Sequence, residues 1–335
     1  MHLARPHLLT ILAVLSAAAI LFALSMGSSG GVAAGALRAL IDGNTDAQDI
    51  DILLRLRLPR TLAAFGTGAA LALAGAFMQV LLRNPLADPY VLGTSGGAAV
   101  AALTAILLGA AGIVVDLAAF VGALLSTILV FTLARSRGNW HDGRGYDGSG
   151  ATSRLLLTGI VVAAGFGAVV SLLLVISPES SLRGLLFWLM GDFSFADQPW
   201  PILIVAVIGT IVGLMLARTL NVLGTGDWQA MLLGVEVRRV RGIIYTMGAL
   251  LTSVAVTTAG VVGFVGLIVP HFVRLAGGSD HRVVIPGSAL AGGILLVVAD
   301  TMARTLLAPR QLPVGAITAV VGVPAFLYLL RRSLR

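Results

Sequence analysis

The sequence predicts an all-α polytopic membrane protein of about ten transmembrane helices, forming a single domain over residues 1–335. Three observations carry that prediction. Hydrophobic residues make up 58% of the chain and charged residues 11%, whereas soluble domains carry about 25% charge. The mean hydropathy is +0.99. Apolar runs of about 20 residues, enough to cross a bilayer at about 1.5 Å per residue, follow one another with short loops between them.

In chain order, the apolar runs place helices at about 8–26, 61–82, 93–111, 113–134, 154–176, 199–217, 242–262, 264–276, 284–307 and 314–330. The first follows Arg5 and is longer than a secretory apolar core, so it reads as an uncleaved span. The division of 93–134 rests on Gly109, Gly112 and Asp116 alone. The eighth run is short for a crossing, so it is tilted, broken or shielded by its neighbours. Gly93-xxx-Gly97 and the series Gly68, Ala72, Gly75, Ala76 put small residues inside spans, where they let helices approach closely. No internal repeat stands out, which argues against a carrier built from inverted halves.

Ten crossings return both termini to one side. With that side cytoplasmic, 15 arginines lie at inner ends and seven (Arg38, Arg55, Arg57, Arg60, Arg183, Arg304 and Arg310) at or near outer ends. Positive residues prefer the inner face, so the imbalance favours this orientation and puts Asp42, Asp46, Asp49 and Asp51 outside. The net charge of +7 is therefore topological. It points to membrane lipid and to no nucleic-acid partner.

The composition also excludes chemistries. There is no cysteine and no lysine; all 22 basic residues are arginine. The chain therefore lacks disulfides, thiolate metal sites, a phosphate-binding P-loop lysine and Schiff-base chemistry. His2, His7, His141, His271 and His281 have no metal-ligand spacing. No nucleophile motif or catalytic set is visible, and no cofactor is implied.

Four constellations remain. The stretch RTLNVLGTGDWQAMLLGVEVRRVR at 218–241 places an apolar knob (Trp228, Met231, Leu232) beside charge, with Asp227 as a candidate helix cap and Gly234 as a turn. Two short helices joined at Gly234 would suit a groove on a soluble partner; an interfacial loop is the plainer alternative. Arg57 and Arg60 bracket Pro59 at a helix start and either anchor headgroups or receive acidic residues of an outside partner. Asp300 and Arg304, four apart in the ninth run, form an internal pair or lend Arg304 to the same outer surface. Arg83-Asn84-Pro85-Leu86-Ala87-Asp88-Pro89 makes a rigid inner turn, with Thr152 and Ser153 at the start of the fifth run on the same side. These residues cap helices or gate a pathway.

Several long, ordered motifs then acquire a common meaning. RLPRTLAAFGTGAALALAGAFMQVLLRNPLADPYVLGTSGG, LLGVEVRR, GFVGLIVPHFVRLAGGSDHRVVIPGSALAGG, AD-x3-R followed by LPVG, and VVGVPAFLYLLRR resemble the iron-siderophore (FecCD-type) permeases. These are membrane subunits of binding-protein-dependent ABC importers, and they include the cobalamin and haem permeases. The resemblance runs from about Arg57 to Arg335.

The resemblance implies a cobalamin-permease-like bundle in the bacterial inner membrane. It implies a homodimer driven by two cytoplasmic ABC ATPase subunits and loaded by a periplasmic substrate-binding protein. The loop 218–241 would carry ATPase coupling, with Leu233, Gly234, Val235 and Glu236 at its turn. Arg57, Arg60 and Arg304 would receive the binding protein, while Asn84, Leu86, Thr152 and Ser153 would form the inner gate. The fifth span would line the pathway. Gln311 departs from the family, whose members often carry an acid before Leu312-Pro313-Val314-Gly315.

The expected cargo is a bulky iron chelate, with ferric siderophore first, then haem, then cobalamin. A largely apolar passage without a ring of acids suits such a chelate better than a bare ion. The alternative is a secondary transporter driven by protons through Asp300.

Overall fold

A computed structural model describes residues 5–26, 51–134, 149–194 and 196–333. Asp42, Asp46, Asp49, residues 136–148 of the glycine-rich loop and the side chain of Thr152 lie outside what is described.

The described residues form twelve α-helices: α1 (Arg5–Ser25), α2 (Leu58–Leu81), α3 (Thr94–Leu107), α4 (Ile113–Ala134), α5 (Ser149–Ile176), α6 (Glu179–Met190), α7 (Trp200–Leu223), α8 (Asp227–Leu232), α9 (Val237–Ala259), α10 (Val265–Gly277), α11 (His281–Thr305) and α12 (Val314–Ser333). Seven are long and apolar enough to cross a membrane, and three shorter apolar helices lie at 94–107, 265–277 and 314–328. All ten runs expected from the sequence are therefore helical. The sixth continues to Leu223, and the seventh already begins at Val237. The short eighth run is α10. It carries an internal Pro270 and buries Val265, Gly266, Val269 and Val273, so its neighbours shield one face, while Phe272 and Leu275 on the other are exposed.

Helix α2 is the axis of the bundle, with 89% of its most apolar stretch buried. Ala63, Ala64, Ala70, Ala72, Ala74 and Ala76 show no exposure, and their small side chains let other helices crowd around. The closest approaches use glycine. A Cβ on Gly68 would collide with the carbonyl of Gly292 on α11, and a Cβ on Gly292 with the carbonyl of Gly68. Gly75 meets the Gly266 backbone of α10 in the same way. No other residue fits these seams, where helix association depends on packing rather than on expelling water.

Helix α1 lies along α11 through Leu8, Leu12 and Val283. Helix α5 is different. Only 6% of its most apolar stretch is covered by its own chain, and Leu157, Ile160, Val161, Leu172 and Val175 are exposed.

Candidate functional site

Polar side chains gather at the two ends of α2. At its start, Asp300 of α11 is 2% exposed and is held by Arg60 on both oxygens. Arg60 Nε donates to Asp300 Oδ1 and Oδ2 at 3.0 and 3.1 Å, and its Nη2 donates to Oδ1 at 2.8 Å. Arg304 Nε lies 3.2 Å from Asp300 Oδ2 as a charge contact. Nη1 of Arg60 turns outward to Ser194 Oγ (3.5 Å) and Gln311 Oε1 (3.4 Å). Asp192 is 3.9 Å away and accepts from the Ser194 backbone N–H at 3.0 Å.

The remaining donors close the end of α1. Arg304 Nη2 donates to the Ala23 carbonyl at 3.2 Å and Arg57 Nη1 to the Leu24 carbonyl at 3.2 Å. The last carbonyls of a helix have no intrahelical partner and attract cations. Thus Asp300 and Arg304 are an internal pair, the first of the two readings open from sequence. Arg57 and Arg60 are half-buried beside them. No motif or spacing marked Ser194 or Asp192; Gln311, where the chain departs from the family pattern, belongs to this network.

At the other end of α2 the chain turns at Arg83, whose φ of 47° is left-handed. Asn84 N–H donates to the Gln79 carbonyl at 3.1 Å, and Asn84 Oδ1 accepts from the Leu86 N–H at 2.9 Å. Asp88 Oδ1 accepts from the Tyr90 N–H at 2.8 Å and so starts the 3₁₀ turn Pro89–Leu92. Burial pushes the Asp88 carboxyl up to about 6, against the pull of that hydrogen bond. Leu86 is half-buried and Ser153 exposed. Helix α5 reaches this region through Leu155, which lines a cleft with Leu81, Phe131, Arg241 and Tyr245.

Helix α8 sits against this turn. Trp228, Met231, Leu232 and Leu233 are 67%, 47%, 70% and 70% exposed, an apolar face that its own chain does not cover. Gly234 follows with φ 79°, and Val235 N–H donates to the Ala230 carbonyl at 3.0 Å. Two details correct the sequence reading. Asp227 makes no capping hydrogen bond; its carboxylate instead pairs with Arg83 and with Arg241, the latter at 2.9 Å. There is also no second short helix, because α9 begins at Val237 directly after the turn. Glu236 is exposed and lies 3.9 Å from Arg239.

The profile of the FecCD transport family matches residues 12–332. This chain belongs to that family. Among FecCD relatives, it is 42% identical to the hemin transport system permease protein HmuU of Yersinia pestis over 327 residues, covering 94% of this chain and 93% of the relative. It is 40% identical to the vitamin B12 import system permease BtuC of Salmonella typhimurium over 285 residues, 84% of each chain. A solved structure described as a metal-chelate type ABC transporter in an inward-facing conformation matches with a TM-score of 0.84 at 28% identity, covering 98% of this chain and 99% of that one. The PsaBC complex of Streptococcus pneumoniae shares the fold at 15% identity and a TM-score of 0.55, over 87% of this chain and 94% of that one. As a FecCD protein the chain is a membrane permease subunit of an ABC importer. It is a transport subunit rather than an enzyme, and ATP hydrolysis belongs to a separate subunit.

Proposed function

We propose that this permease carries a bulky metal chelate across the bacterial inner membrane by ATP-driven alternating access, with haem as first cargo, cobalamin second and ferric siderophore third. The order differs from the expectation drawn from the family as a whole, because the relatives cited above are named for hemin and vitamin B12. The observation that carries the mechanism is the exposed apolar face of α8, held by charge to the turn that ends α2. Such a knob fits a groove on an ATPase subunit, one for each permease of a homodimer. Leu233, Gly234, Val235 and Glu236 make the turn that follows it. Closure of the ATPase pair would displace α8 and, through it, the gate formed by Asn84, Leu86, Thr152 and Ser153.

The homodimer is supported by α5. Its apolar face lacks cover, and no atom lies within 4 Å of a Cβ built on Gly165 or Gly167, so a second copy has room to approach. At the opposite end, a periplasmic binding protein would dock over Arg57, Arg60 and the buried Arg304, with both termini on the cytoplasmic side. The proton-driven alternative finds no support at Asp300, whose oxygens are occupied by two guanidiniums.

The test is reconstitution with the ATPase subunits and binding protein in proteoliposomes. Uptake of haemin should require ATP and exceed that of cyanocobalamin and ferrichrome. Uptake driven by a proton gradient with no ATPase present would overturn the importer mechanism.

A further inference from the structure

We propose that Asp227 is a positioning residue that ties the ATPase-facing helix α8 to the gate turn through Arg83, so that the two move together. The proposal rests on the coupling role argued above and names the residues that carry it. Helix α8 has six residues, and only Ala230 among them is buried. With so small an apolar footing, α8 needs polar attachment to the bundle.

Asp227 provides it. One carboxylate oxygen pairs with Arg83, and Arg241 reaches both oxygens, at 3.1 and 2.9 Å. The side chains of Asp227 and Arg241 are 17% and 12% exposed, that of Arg83 33%. Arg241 belongs to α9, whose course through the bundle is fixed by Val240, Ile244 and Leu251. Arg83 belongs to the turn. The carboxylate therefore bridges a fixed helix, the partner-facing helix and the gate segment.

Arg83 is also unusual in its backbone. An arginine seldom adopts a left-handed φ, and such residues persist where their surroundings hold them, often in switch segments. Here the hold is visible on both sides. Its N–H donates to the Val80 carbonyl at 3.2 Å, and its guanidinium is captured by Asp227. Asn84 follows at once and braces Leu86, so a displacement of Arg83 reaches the gate without passing through a flexible linker.

The chain has no cysteine, so a single Leu86→Cys reports on the gate turn. In the reconstituted complex with its ATPase subunits, maleimide labelling at this position should change at least fivefold between nucleotide-free and ATP-bound states. Adding Asp227→Asn should shrink that change below twofold while the ATPase subunits still co-purify. Arg83→Gln, which leaves the Asp227–Arg241 pair intact, should do the same. A nucleotide response of parental size in Arg83→Gln or in an assembled Asp227→Asn complex overturns the proposal. Absence of any response in the Leu86→Cys parent, with ATPase bound, overturns the coupling role on which it rests.

Discussion

Asp300→Ala should destabilise the bundle more than any single arginine change around it. The carboxylate is 2% exposed and lies between Arg60 and Arg304, whose side chains are 13% and 8% exposed. Removing it leaves Arg304 with no carboxylate partner and Arg60 with only Asp192, 3.9 Å away. Breaking a buried ion pair from one side costs about 3–5 kcal/mol, mostly through the charge left behind. Arg60→Gln keeps the Asp300–Arg304 pair and removes the three short hydrogen bonds, so a loss of about 1–3 kcal/mol is expected. Arg57→Gln removes one bond to the Leu24 carbonyl and should cost about 1 kcal/mol. The assay is the midpoint of thermal aggregation in dodecyl maltoside, followed by size-exclusion chromatography, with the order Asp300→Ala, Arg60→Gln, Arg57→Gln from least to most stable. An Asp300→Ala protein with the parental midpoint would refute the claim that this cluster braces the fold. A parental midpoint for Arg60→Gln, combined with weakened capture of the binding protein at low salt, would assign Arg60 to docking alone.

Three further outcomes follow from the geometry. Gly68→Leu should abolish the monodisperse protein, since its side chain would enter the Gly292 backbone. Gly234→Val should reduce ATPase co-purification at least fivefold: space is free around the Cβ, but a φ of 79° is strained for a β-branched residue by about 1–2 kcal/mol. Asp88 sets a pH dependence. Its carboxyl, at about 6 in the fold against 3.8 in the free chain, binds the proton more tightly when folded, so stability falls as pH rises from about 4 to 6 and is level above that. A gap of about two pH units corresponds to at most about 3 kcal/mol, and Asp88→Asn, which keeps an acceptor for the Tyr90 N–H, should flatten the midpoint over this range; an unchanged slope would remove Asp88 as its source.

The ten apolar helices were legible because each spans enough uninterrupted apolar sequence to be recognised without tertiary information. Helix α6 was not. It has 12 residues and opens Glu179-Ser180-Ser181-Leu182-Arg183, a run too short and too polar to resemble a span, and its helicity depends on burying Leu185 against other elements. The start of α9 was missed for a related reason, since Arg238, Arg239 and Arg241 look like loop charges until the helix beneath them is seen. Sequence placed Asp227, Asp300, Arg60 and Arg304 at helix ends, as membrane energetics requires. It offered the Asp300–Arg304 pair as one of two readings but did not show that Arg60 meets Asp300 or that Arg83 meets Asp227, because those pairs join segments far apart in the chain. Asp227 next to an apolar run reads as a cap; only the fold brings Arg83 and Arg241 to it and leaves the helix end without one.

The two ends of α2 are built alike and differ in one respect. Each is held by a carboxylate between two arginines, Asp300 at the start and Asp227 at the end. Asp300 is 2% exposed, and its partners also close the end of α1, so moving it would uncover buried charge and free helix carbonyls together. The Asp227 side chain is 17% exposed and that of Arg83 33%, so water can replace either partner at much smaller cost. Between them the glycine seams with α10 and α11 leave α2 no slack in which to bend. Motion delivered at α8 therefore cannot be absorbed within α2. It must either turn the segment after Arg83 or carry α2 with α10 and α11 as one body, and both routes begin at the more exposed of the two carboxylates.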